Sequence, residues 1–230
     1  MAGKRLREPF SQASAEKGSR SLFHPLTADE LARARRTLMR RDPILAPIIR
    51  KYGACALKTR EGDIFCGLVE AIVSQQLSTR AAATIYGRVR ALLPNGGPTP
   101  EALLSLPDDA LRGAGLSRQK LAYMRDLSQK MLDGSINAQA LSSMSDDEIV
   151  AELTKIKGIG RWTVEMLLIF RLTRPDVFPV GDLGIVKAMR KNYNLRGTTN
   201  VKRLHAIAER WRPYRTVASW YLWASLENKK

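Results

Sequence analysis

From Thr27 onward, apolar residues recur three and four positions apart, the spacing that lines one face of a helix. Leu31, Arg35 and Leu38 open the pattern, and Phe65, Leu68, Val69, Ile72 and Val73 form a buried stripe over 63–75. Tyr86, Val89 and Leu93 mark the next helix, which must stop at Pro94-Asn95-Gly96-Gly97-Pro98, a run of chain breakers. Leu121, Met124, Leu127 and Met131 line another. No pair of alternating segments signals a strand hairpin, so the pattern predicts an all-α protein.

The segment from Ser145 to Asp182 departs from this regularity. Ser145 and Glu148 form a Ser-x-x-Glu capping box, and Ile149, Leu153 and Ile156 follow at helical spacing. Lys157-Gly158-Ile159-Gly160 then interrupts the helix with two glycines, which permit positive φ and a close approach of backbone to a ligand. A second helix restarts over 161–172, and its N-terminal amides form an anion site suited to a phosphate. A dinucleotide fingerprint beginning at Gly158 would need a glycine where Thr163 stands, and no strand precedes it. The Gly-Lys-Ser/Thr ending of a nucleoside-triphosphate loop is missing too. Beyond the second helix, Val177-Phe178-Pro179-Val180-Gly181-Asp182 carries one isolated acid, placed to cap a helix beginning at Leu183.

Charge gives this hairpin a partner. The 230 residues carry a net charge of +16, with 44% apolar residues, and the pI is near 10.3. A globular protein so basic favours a polyanion, because each phosphate it neutralises releases counterions. Two cysteines, Cys55 and Cys66, exclude a disulfide framework and a four-cysteine iron–sulfur cluster. His24 and His205 stand far apart with no cysteine beside them, so no zinc site is indicated and each is expected at the surface or in a loop. No apolar run reaches the roughly 20 residues of a membrane span, and no secretory core is present. The expectation is a soluble intracellular protein of the cytoplasm or nucleoid, or of the nucleus in a eukaryote, with residues 1–25 as a mobile basic arm.

Taken in order, Leu153-Thr154-Lys155-Ile156-Lys157-Gly158-Ile159-Gly160-Arg161-Trp162-Thr163 and Val177-Phe178-Pro179-Val180-Gly181-Asp182 resemble the helix-hairpin-helix DNA glycosylase superfamily, in particular its DNA-3-methyladenine glycosylase II branch. The similarity runs from about Asp63 to about Leu226. It implies two helical lobes, 63–182 holding the hairpin and 27–62 with 183–230 forming the other, and an active-site cleft between them. It implies base excision repair on damaged double-stranded DNA by a monomer that flips the base out of the helix. The expected reaction is hydrolysis of the N-glycosidic bond of 3-methyladenine or 7-methylguanine. Other lesions (uracil, hypoxanthine or a mismatched base) stay open, as does a non-catalytic DNA-binding scaffold.

Site residues follow from the same resemblance. Asp182 matches the catalytic acid, which would stabilise positive charge on the sugar; capping a helix does not conflict with that. Bifunctional relatives carry a lysine two residues after the second hairpin glycine, and Trp162 stands there, which implies a hydrolase without lyase activity. Gln76 and Leu77, in Ser74-Gln75-Gln76-Leu77-Ser78, match the wedge that fills the gap left by a flipped base. Trp162, Met166 and Trp223 match the base pocket, where electron-rich rings favour a cationic base; each also has a core-packing reading, which for Trp223 weighs evenly with the pocket. Met166 replaces an aromatic residue found in one branch of the family. Gly158, Gly160, Arg161 and Trp162 match the contacts to the DNA backbone. No cofactor is required; main-chain carbonyls of Thr154, Ile156 and Ile159 are the expected ligands of a structural monovalent cation. Glu165 is expected in a solvated pair with Arg161.

Overall fold

The computed structural model describes residues 26–57, 63–94, 97–197 and 200–227. The N-terminal arm and His24 lie outside them. In chain order the helices are α1 (Ala28–Arg41), α2 (Leu45–Tyr52), α3 (Ile64–Ser74), α4 (Thr79–Ala91), α5 (Pro100–Ser105), α6 (Asp108–Gly113), α7 (Arg118–Leu132), α8 (Asp146–Leu153), α9 (Arg161–Phe170), α10 (Leu183–Asn192), α11 (Val201–Ala208) and α12 (Arg215–Ala224), with short 3-10 turns at Ala140–Ser143 and Glu209–Trp211. All regular structure among the described residues is helical, as the periodicity predicts. None of these helices is long and apolar enough to cross a membrane.

Side-chain caps set most of the starts. Thr27 accepts the Glu30 N–H while the Glu30 carboxylate accepts the Thr27 N–H, and Ser145 and Glu148 repeat the reciprocal arrangement at α8. Asp63, Ser78, Thr99, Ser117, Asp182 and Asn200 cap the helices that follow them. Two ends fall earlier than periodicity suggests. Helix α8 stops at Leu153 because Lys155 and Ile156 donate to carbonyls only three residues back, which tightens the chain into the hairpin while Ile156 stays buried. Helix α9 stops at Phe170, where the Leu172 N–H reaches the Leu167 carbonyl and Thr173 adopts a positive φ of 52°.

Two hydrophobic cores result. One draws on residues between Ile64 and Val177, including the whole α3 stripe of Phe65, Leu68, Val69, Ile72 and Val73 and the buried face of α9. The other joins Ala34–Ile49 with residues from Phe178 to Leu222 around Trp211 and Tyr221. Trp223 packs against both. In the second core a fully buried Asp42 accepts the indole N–H of Trp211 and the hydroxyl of Tyr193, each at 2.7 Å, and the Leu45 amide at the start of α2 at 3.0 Å. Burial and the neighbouring Asp42 push the Tyr193 phenol well above its ordinary range.

The segment after α9 is fastened to the start of α12. Thr216 Oγ1 donates to the Arg174 carbonyl at 2.6 Å and accepts the Val177 N–H at 3.0 Å, and Arg215 pairs with Asp176 at 2.8 Å. Phe178 then enters the second core against Trp211, and a turn closed by the Asp182 N–H on the Pro179 carbonyl, at 2.9 Å, delivers Asp182 to the head of α10.

Candidate active site

The hairpin is built from beneath. Gly158 sits at φ 79°, and a Cβ there would lie 2.1 Å from the ring of Tyr123 on α7, so both conformation and space demand glycine. One helical turn on, the Asp126 carboxylate accepts the Lys157 N–H at 2.8 Å and pairs with Lys130 at 2.7 Å. Burial alone would raise the Asp126 carboxyl, but the Lys130 ammonium and the Lys157 N–H more than offset it and hold it below its ordinary value. Gly160, by contrast, has an extended backbone and no atom within 4 Å of its absent Cβ, so its bareness matters only toward the outside. The first α9 bond runs from Val164 N–H to the Gly160 carbonyl at 3.2 Å, which leaves the amides of the opening turn outside the helical ladder. Gly158, Gly160, Arg161 and Trp162 lie together on this exposed edge. Arg161 is paired there with Asp147 at 3.3 Å and Glu165 at 3.1 Å.

Across from this edge stands Asp182, half-buried and held by three donors. Its Oδ1 accepts the Trp223 indole N–H at 2.8 Å and the Ile185 amide at 2.9 Å, and its Oδ2 accepts the Trp162 indole N–H at 2.9 Å. The carboxylate therefore caps α10 and is fixed in orientation by one indole from the hairpin helix and one from α12. A Cβ on Gly184 would come 3.0 Å from Oδ1 and 3.1 Å from Trp223 Cδ1, so a side chain there would press on the acid and its indole partner.

A cavity of about 420 Å³ opens beside Trp162, between α3 and α9. Trp162, Met166 and Phe170 form its α9 wall, and Gln76 and Leu77 stand at its rim. Trp223 is not part of its lining; it stacks on Phe170 from behind, ring centres 5.8 Å apart, and supports the cavity through that ring. Gln76 has a positive φ of 58°, uncommon for a residue with a side chain. Three bonds hold this loop: Gln75 Nε2 donates to the Gly158 carbonyl at 2.8 Å, and Lys120 Nζ donates to the carbonyls of Val73 and Gln75 at 2.7 and 2.8 Å. Rim and hairpin are thus one mechanical unit, a connection no single-segment motif reveals.

Glu165 corrects an expectation. It pairs with Arg161, but its side chain is only 7% exposed rather than solvated. Helix α9 buries nearly its whole circumference, and Glu165 goes in with it. Burial above all, helped by the nearby Asp182 and opposed by Arg161, pushes its carboxyl above the ordinary 4.5. Cys55 and Cys66 are both free thiols, each pushed up to about 11 chiefly by burial, which leaves them unreactive as nucleophiles. His205 is exposed on α11. No cluster of three or more His, Cys, Asp or Glu side chains that could hold a metal ion occurs among the described residues. At the hairpin, the Ile156 carbonyl accepts the Ile159 N–H at 3.1 Å, with a second lone pair left over, and carbonyl oxygens suit a hard cation.

Paired helices, a glycine hairpin and a braced acid beside a cavity define a protein of the helix-hairpin-helix class. The family model for the HhH-GPD superfamily of base excision DNA repair proteins matches residues 69–213, and the chain belongs to that family. It is 38% identical over 158 residues to DNA-3-methyladenine glycosylase 1 of Schizosaccharomyces pombe, covering 68% of this chain and 69% of that protein. Its fold is similar to that of the Schizosaccharomyces pombe 3-methyladenine DNA glycosylase solved with abasic DNA, with a TM-score of 0.75, 32% identity and coverage of 84% and 96% of the two chains. A DNA-3-methyladenine glycosidase from Bacillus halodurans is similar with a TM-score of 0.78, 36% identity and coverage of 85% and 89%.

Proposed function

We infer that this chain is a DNA glycosylase of base excision repair that hydrolyses the N-glycosidic bond of alkylated purines, 3-methyladenine and 7-methylguanine foremost. The observation that carries the reading is the Asp182 carboxylate, fixed by a helix amide and two indoles, one of which, Trp162, lines a cavity large enough for a purine. Bond cleavage leaves positive charge on the sugar, and an alkylated base that is already cationic departs without strong protonation. A carboxylate about 4 Å from that charge contributes on the order of 4 kcal/mol at an effective dielectric near 20. That corresponds to roughly a thousandfold in rate.

The surrounding residues supply the rest. Hairpin amides and the edge formed by Gly158, Gly160, Arg161 and Trp162 grip a phosphate, with a monovalent cation on the carbonyls of Thr154, Ile156 and Ile159 adding a positive charge between backbone and strand. Gln76 and Leu77 fill the gap left by the flipped nucleotide, offsetting a few kcal/mol of lost stacking. Trp162 and Met166 flank the base, with Trp223 behind. The cleft that receives the strand lies between a lobe of 63–182 and a lobe of 27–62 with 183–230. Trp162 offers an indole, not an amine, at the position of the lyase lysine, and its N–H is engaged by Asp182, so no covalent imine forms and an abasic site is the product.

Release of free base from methylated duplex DNA, compared between the wild type and Asp182→Asn, tests this. Asparagine caps a helix about as well as aspartate but cannot accept the Trp162 indole N–H with its amide nitrogen, so melting temperature and affinity for abasic DNA are read alongside release, which should fall roughly a thousandfold beyond any change in binding. Persistent release would remove Asp182 from the chemistry, and a wild type inert on methylated DNA would favour a binding scaffold. Incubation with abasic DNA and borohydride should trap no adduct; a trapped species would contradict the hydrolase assignment.

A further inference from the structure

The cavity beside Trp162 contains one feature that base stacking leaves unexplained. Its lining is apolar or neutral except for Glu70 on α3 and Arg171 just past α9, which pair within it at 3.2 Å. The Arg171 side chain is only 6% exposed, and that of Glu70 27%. Space for the arginine is made by Gly67: a Cβ there would lie 2.5 Å from Arg171 Nε and 2.7 Å from its Cδ. The guanidinium is thus threaded across α3 at the one residue without a side chain to reach an acid in the cavity wall. Burying such a pair is a weak way to join two helices, since apolar residues of similar size do so at least as well.

We propose that Glu70, held by Arg171, reads the edge of the extruded base and selects purines with an amine at C6 over those with a carbonyl there. This rests on the glycosylase reading above and goes beyond it by assigning the selection to a residue. An ionised carboxylate only accepts hydrogen bonds, and a guanidinium only donates. The C6 amine of 3-methyladenine donates, and its cationic ring makes it a stronger donor. The O6 of 7-methylguanine or hypoxanthine is an acceptor, which Glu70 would repel. Arg171, bonded to one carboxylate oxygen at 3.2 Å, fixes which oxygen faces the base, so it is the positioning member of the pair.

Single-turnover release of 3-methyladenine and of 7-methylguanine, measured on defined duplexes with wild type and Glu70→Gln, decides the matter. Glutamine can accept from an amine through its carbonyl or donate to O6 through its amide, so the preference for 3-methyladenine should fall about tenfold, the size of one hydrogen bond to a charged group. An unchanged ratio in an active Glu70→Gln protein, with both rates lowered equally and a lower melting temperature, would overturn the proposal in favour of a helix brace. If Glu70→Gln fails to fold, the doubly neutral Glu70→Gln/Arg171→Gln protein is measured in its place, with the same loss of preference expected and the same unchanged ratio refuting it. A wild type inactive on both lesions would overturn the glycosylase reading itself, a result distinct from an unchanged ratio.

Discussion

Replacing Gly158 with alanine tests whether the hairpin owes its shape to a single ring beneath it. The added methyl meets three Tyr123 atoms, Cδ2 at 2.1 Å, Cε2 at 2.2 Å and Cγ at 2.5 Å, far inside contact distance. The left-handed backbone costs a residue with a side chain about 1–2 kcal/mol. Displacing a packed ring adds about 1–3 kcal/mol. The ring is not free to swing away, because Gln119 Nε2 donates to its hydroxyl at 2.6 Å. Any upward shift of the hairpin instead pulls the Gly158 carbonyl from Gln75 and loosens the loop carrying Gln76. Urea denaturation and anisotropy on an abasic duplex should be read for the wild type, Gly158→Ala, Tyr123→Ala and the double variant. In the Tyr123→Ala background only the backbone term survives, so the alanine should cost about 1–3 kcal/mol less there. Strict additivity would refute the idea that ring and glycine are matched.

Two further outcomes follow from other contacts. Gly184→Ala pushes a methyl against Asp182 Oδ1 and Trp223, and a displaced acid should lower the rate of base release by about tenfold or more while affinity for abasic DNA stays unchanged; an unaltered rate would show that the carboxylate position is not critical. Glu165→Gln probes burial: with its folded value raised above 4.5, ionised Glu165 destabilises the protein at neutral pH, and the effect fades as pH falls through the raised value and is gone below 4.5. The melting temperature of the variant relative to wild type should therefore be highest near neutrality and decline toward pH 4.5, and a difference that grows on acidification would contradict the assignment.

What the sequence made legible was local. The Phe65-to-Val73 stripe, the Ser145–Glu148 box and the positive φ at Gly158 each express rules that operate within about one turn, and each appears as read, whereas the Tyr123 ring that also demands glycine there lies 35 residues away. Asp182 as a helix cap was legible for the same reason. Its two indole partners were not, because Trp162 and Trp223 stand 20 and 41 residues away and periodicity says which face of a helix is apolar, not what that face meets. The Glu70–Arg171 pair, 101 residues apart, was equally invisible. Glu165 shows a signal that was available: nearly every residue around it on α9 is apolar, and a helix apolar on all sides buries whatever charge it carries.

Trp223 touches both cores, while the acid it steadies caps α10 of the second and most of the cavity wall belongs to the first. Such a partition puts most of what shapes the chamber in one core and most of what holds the acid in the other. Exchanges along α3 can remodel the chamber and leave the Asp182 carboxylate untouched, whereas on α9 Trp162 serves both, lining the chamber and holding Asp182 Oδ2.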